Sequence, residues 1–335
     1  MKSAGDLYRQ IADRDNIRLA FLKAARGKQA RRDVIDFRAD FEENIKKLHA
    51  QLEERNPDIG HYRYFQVFDP KKRLICAASF PERVLHHAIM NVCEPVLESY
   101  AIDDSYACRK GKGGQKAILR AKEFAGRFDW FLKLDIRKYF DSIDHAILFA
   151  ALVRRFREKD VLLLFEKIMA SYEVETGKGL PIGNLVLQHL ANFYLSVFDH
   201  WIKEERKVRG YVRYMDDFLI YGNDRNQLMH KELPAIREFL SARLSLAVKP
   251  DIQMNRCARG IPFLGFRVYP QKILLAPRSK RRFVNKFKTY ESKNVNGQWS
   301  AAELVRHMEP LLEFIRFADS VGFRGKVISR FGILS

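Results

Sequence analysis

Apolar positions recur at helical spacing from Asp33 to Leu52, through Phe37, Phe41, Ile45 and Leu48. That period predicts one amphipathic helix, broken by Asn56-Pro57-Asp58-Ile59-Gly60. From Tyr62 to Phe68 the pattern alternates and is aromatic, as a strand would be, and Asp69-Pro70-Lys71-Lys72 turns it into Arg73-Leu74-Ile75. The spacing predicts helices over Glu82–Leu97 and Glu166–Tyr172, and a third that Leu180-Pro181-Ile182-Gly183 opens and that runs through Gln188 and Asn192. Phe131-Leu132-Lys133-Leu134 reads as a short strand ending at Asp135. Gly210 and Gly222 bracket two strands around Asp216-Asp217, and Ile261–Val268 forms a further pair. The C-terminal part is helical, with Ser300 and Glu303 as a capping box before Leu304, Met308, Leu311 and Ile315. Strands and helices mix without regular βαβ alternation, so the fold class is α+β.

Composition narrows the partners. A chain of 335 residues suits two or three packed subdomains. Its net charge of +19 and pI near 9.8 favour a polyanion. A membrane is disfavoured, since no apolar run approaches the roughly 18–20 residues of a spanning helix. The first residues lack the apolar stretch of a signal peptide, so a cytoplasmic location is expected. Cys76, Cys93, Cys108 and Cys257 form no C-x-x-C pair and read as reduced thiols rather than zinc ligands or disulfides. Tyr106 to Gly114 is basic and glycine-rich, suited to phosphate, but it is no Walker motif and also reads as an ordinary loop.

Asp216 and Asp217 are adjacent carboxylates at the tip of an apolar hairpin. Like charges repel there, and a divalent cation with hard oxygen ligands resolves the conflict. Alternate strand residues face opposite ways, so the pair needs a third carboxylate, and Asp135 at a strand end is the candidate. Solvated turn chemistry is the competing account of a lone Asp-Asp pair.

The ordered set around these residues resembles the reverse transcriptases. Asp135-Ile136-Arg137-Lys138-Tyr139-Phe140 is similar to motif A, and Leu180-Pro181-Ile182-Gly183 with Gln188 to motif B. Tyr214-Met215-Asp216-Asp217 is similar to motif C, and Phe263-Leu264-Gly265-Phe266 to the primer grip. Arg73, Ile75 and Glu82-Arg83 resemble a fingers motif, and Tyr106–Gly114 the next one. The resemblance covers about Tyr62 to Phe266 and implies a right-hand polymerase fold: an N-terminal helical region over 1–60, fingers over 61–130, a palm interleaved with fingers over 131–270, and a helical thumb over 271–335.

It also implies an RNA-directed DNA polymerase with two Mg²⁺ per active site, held by Asp135 and Asp216 with Asp217 the weaker ligand. Lys72 and Arg73 would hold the dNTP triphosphate. Phe140 would exclude a ribose 2′-hydroxyl, and Ile182 and Gly183 would line the nucleotide. Arg83, Arg109, Gln188, Asn192, Tyr214, Met215 and Gly265 would contact template or primer, the RNA–DNA hybrid. Lys249 is a candidate proton donor, although its spacing departs from the usual motif D. No appended nuclease domain is expected.

Many family members carry glutamine where this chain has Ile182. An apolar residue there, with Gln188 downstream, is most similar to the bacterial or phage-encoded enzymes of diversity-generating retroelements, whose pattern is [ILV]-G-x-x-x-S-Q. Leu187 departs from it by replacing the serine. That type implies a structured RNA template, a small basic oligomeric accessory protein and tolerant copying. Antiviral defence-associated reverse transcriptases, which work with a non-coding RNA, are the alternative.

Overall fold

The computed structural model describes residues 6–68 and 73–332. The chain divides into two compact units, each made of three separated segments.

The first unit comprises residues 1–103, 136–206 and 235–249. It is mainly helical, and its long helix Phe80–Glu98 is the hub against which Arg14–Ala25 and Leu185–Tyr194 pack. Ile17, Phe21, Val84, Leu85, Ile89 and Leu190 on these helices are buried. The single helix expected over Asp33–Leu52 is two, Arg32–Ala39 and Phe41–Glu53. Asp40 leaves helical geometry at φ −112°, ψ 44°, and the turn lets Phe37 and Phe41 both reach the Phe21 ring. Tertiary aromatic packing overrides a continuous local period here. Strands β1 (Tyr62–Val67) and β2 (Arg73–Ala78) pair antiparallel as the alternation predicted.

The second unit comprises residues 104–135, 207–234 and 250–335. Its four-stranded sheet holds β3 (Trp130–Asp135), β4 (Gly210–Tyr214), β5 (Asp217–Gly222) and β6 (Gln253–Arg256) in the order β4-β5-β3-β6. One sheet face presents Phe131, Val212, Leu219 and Tyr221 to the Gly114–Arg127 helix, through Ala117, Ala121 and Phe124. The apolar core continues into a small sheet of β7 (Ile261–Phe263), β8 (Phe266–Val268) and β9 (Ile273–Leu275). Three helices follow, Pro277–Val295, Ala301–Arg316 and Val321–Phe331. The capping box of Ser300 and Glu303 is formed, with Met308 and Ile315 buried below it. Among the described residues no helix is long and apolar enough to cross a membrane, and the four cysteines are free thiols.

Candidate active site

The three aspartates lie on the second unit. β3 and β5 are antiparallel neighbours in a register that sets Asp135 opposite Asp217, so two carboxylates meet at one end of the sheet. Tyr214 pairs with Asp217, which leaves Met215-Asp216 as a two-residue hairpin loop. Asp216 is thus presented by the turn and not by strand alternation. Met215 has φ 55°, a left-handed value unusual for a side chain of its size. Arg213, wholly buried on β4, donates from Nη1 to the Met215 carbonyl at 3.0 Å and braces that loop.

Burial pushes the Asp217 carboxyl up to about 6; Lys133 opposes the shift, and Asp135 and Asp216 add to it. Lys133 Nζ lies 3.0 Å from Asp217 Oδ2. Oδ1 of Asp217 is buried and accepts no hydrogen bond. A buried carboxylate oxygen without a donor, in a cluster of three acids, is a donor atom that suits a hard divalent cation. The cage is not ready-made, however: among the described residues no group of three or more His, Cys, Asp or Glu side chains is arranged to hold a metal ion. Asp217 is turned to an ammonium instead. Lys133 and Arg213 were missed in the sequence; Lys133 stands two residues before Asp135, a spacing that puts both on one face of a strand.

The neighbouring loop is tied to the same hairpin. The Tyr106 N–H donates to the Arg213 carbonyl and the Arg213 N–H to the Asp104 carbonyl, both at 3.0 Å, along the outer edge of β4. Arg109 donates to the Ser105 carbonyl and Lys112 lies 5.0 Å from the Tyr106 ring centre, so these cations sit on an ordered turn. Gly265 has φ 86°, next to Leu264 at φ 47°, and its carbonyl accepts from the Ser279 hydroxyl at 2.6 Å.

The other expected residues lie on the first unit. Lys72 and the Arg73 side chain fall outside the described residues. Phe140 is half-buried against Tyr139, and its carbonyl accepts from the Leu180 N–H at 2.8 Å, which joins the segment after Asp135 to the Ile182-Gly183 turn. The Cys76 N–H donates to the Ile182 carbonyl at 2.9 Å, docking that turn on β2. Gly183 has φ +113°, and a Cβ there would come within 3.0 Å of Ile75 Cγ2 and 3.2 Å of the Cys76 carbonyl oxygen. β2 is therefore one steric reason for the glycine. Leu187 is wholly buried, which explains an apolar side chain at that position. Asn192 is also buried, whereas Gln188 is half-buried. Arg83 is not simply available for nucleic acid, since it is ion-paired with Asp33 and lies over Phe80.

Beneath the turn, Glu82, His86 and Asn184 form a buried polar cluster. Asn184 Oδ1 accepts from the Leu187 N–H, capping the Leu185–Tyr194 helix, and its amide lies 3.3 Å from His86 Nε2. Glu82 Oε1 is 3.6 Å from the same imidazole nitrogen. Burial raises the Glu82 carboxyl and lowers His86 to about 3, favouring the neutral form of each.

Residues 68–268, more than half of the chain, match the family described as reverse transcriptase (RNA-dependent DNA polymerase). The chain is 26% identical over 208 residues to the group II intron-encoded protein LtrA of Lactococcus lactis, a match covering 58% of this chain and 35% of that protein. Over 265 residues it is 24% identical to protein YkfC of Escherichia coli, covering 62% and 68%. A putative COX1/OXI3 intron 1 protein of Saccharomyces cerevisiae is 25% identical over 130 residues, 37% of this chain and only 16% of its own length. Among solved structures, telomerase from Candida tropicalis aligns over 87% of this chain and 58% of its own, with a TM-score of 0.50 and 9% identity, a likeness of fold alone. The chain belongs to the reverse transcriptase family, and its fold is the right-hand polymerase fold.

Proposed function

We propose that this protein is an RNA-directed DNA polymerase that copies a dedicated structured RNA into cDNA. The observation that carries the reading is the register of Asp135 against Asp217 beside the Met215-Asp216 loop. Asp135, Asp216 and Oδ1 of Asp217 are assigned as ligands for divalent metal, with magnesium the expected ion. Such ions, when bound, stabilise the attacking and leaving oxygens of phosphoryl transfer. Phe140 is assigned to sugar discrimination, Arg73 to the triphosphate, and Gln188 and Gly265 to template and primer. Fingers, palm and thumb are assigned to 61–130, 131–270 and 271–335. Purified protein should extend a DNA primer on an RNA template with dNTPs, and Asp135→Asn or Asp216→Asn should reduce the rate about a hundred- to a thousandfold. Activity of either variant equal to wild type would overturn the assignment.

Ile182 supports the finer reading, a diversity-generating retroelement enzyme with a small basic oligomeric accessory protein as partner. Sequencing the RNA and cDNA that co-purify from the native host tests it. A template repeat paired with a variable gene segment supports the reading; a non-coding RNA without one favours the antiviral defence type.

A further inference from the structure

We propose that Lys133 is a positioning residue of this active site, which fixes the orientation of the Asp217 carboxylate and ties it to the hairpin that carries Gly265. The inference rests on the polymerase reading above. Lys133 and Asp135 share one face of β3, and the register places Lys133 opposite Leu219 and Asp135 opposite Asp217. From there the ammonium reaches Asp217 Oδ2 at 3.0 Å and also donates to the Pro262 carbonyl at 3.0 Å. Both side chains of the ion pair are about four-fifths buried, at 18% and 21% exposure. A charge-assisted contact at that depth is stronger and less screened than a surface pair. An ammonium, a point charge with three donors, can serve two acceptors that lie in different directions.

Two consequences follow from this geometry. The ammonium engages Oδ2, which leaves Oδ1, buried and accepting no hydrogen bond, as the less encumbered donor for a cation. Lys133 therefore competes with divalent metal for Asp217 while fixing the orientation of the carboxylate. The second consequence concerns the hairpin. Pro262 lies in β7, and Phe263 pairs with Phe266 across the Leu264-Gly265 loop. A displacement of that hairpin would reach Asp217 through one side chain.

The test compares Lys133→Met, Lys133→Gln and Lys133→Arg in the full chain. Free Mn²⁺ is counted by electron paramagnetic resonance without nucleotide, and kcat and KM for dNTP are measured separately. Lys133→Met should bind Mn²⁺ about three- to tenfold more tightly, because a like charge beside the metal is gone. Its kcat should fall about tenfold or more with KM little changed, because Asp217 loses its orientation. Lys133→Gln should share the tighter binding, and Lys133→Arg should retain the wild-type affinity and much of kcat. Unchanged or weaker Mn²⁺ binding in Lys133→Met, or an unchanged kcat, overturns the proposal. Should Lys133→Met not fold by thermal melting, equal Mn²⁺ affinity of the Gln and Arg variants overturns it. An inactive wild type would instead defeat the polymerase reading, which the Mn²⁺ comparison does not require.

Discussion

Gly183 has two constraints: a φ of +113°, and a Cβ that would crowd Ile75 Cγ2 at 3.0 Å and the Cys76 carbonyl oxygen at 3.2 Å. Gly183→Ala should therefore cost about 1–3 kcal/mol in urea unfolding, more than the loss of a glycine's unfolded-state entropy could offset. A variant as stable as wild type would mean that the turn relaxes off β2. Ile182 makes a separate prediction. Its carbonyl is committed to Cys76, but its half-buried side chain is not fixed by that bond. Ile182→Gln would add an amide able to hydrogen-bond a template base or nucleotide, so misincorporation should fall several-fold while stability stays within about 0.5 kcal/mol. Sequenced products with an unchanged error spectrum would remove Ile182 from the fidelity argument.

At the scale of elements, the helix Phe80–Glu98 carries two histidines whose protonation opposes folding. Burial lowers His86 to about 3, and burial with the nearby Lys23, Lys28 and Arg83 lowers His87 to about 4. In the unfolded chain both titrate near 6.5. Between those values the unfolded state binds protons that the native state refuses, so their contribution is full above about 6.5 and declines as the pH falls. Glu82, whose carboxyl burial raises, works in the opposite sense. Urea midpoints should fall from pH 7 to pH 5, and less steeply in His86→Gln; a flat wild-type profile would contradict the assignment. Periodicity located this helix, β1, β2 and the strands around Asp216 because their patterns are local. It could not locate the break at Asp40, which depends on where Phe37 and Phe41 meet Phe21. Nor could it find Lys133 bound to Pro262, since that hydrogen bond spans 129 positions of sequence.

For the whole molecule, the ordered motifs carried the family, whereas the division into two units of interleaved segments is a property of long-range packing that no single segment encodes. Charge, by contrast, is legible without any fold: with 60 Lys and Arg against 41 Asp and Glu, 19 cations are left over even if every acid is paired. The cations remaining on such a surface attract a phosphate backbone, and each neutralised phosphate releases condensed counterions. Affinity for an RNA–DNA hybrid should therefore fall linearly in a plot of log K against log salt. With about six to ten phosphates engaged, the loss between 50 and 200 mM salt is about 10³–10⁵-fold. Fluorescence anisotropy with a labelled hybrid measures it directly. Substituting Lys280, Arg281 or Arg282, which stand near the start of the Pro277–Val295 helix, should reduce the slope by about one unit for each phosphate that is no longer neutralised. A slope near zero would mean that uncharged interactions dominate binding, and the excess charge would then need another explanation.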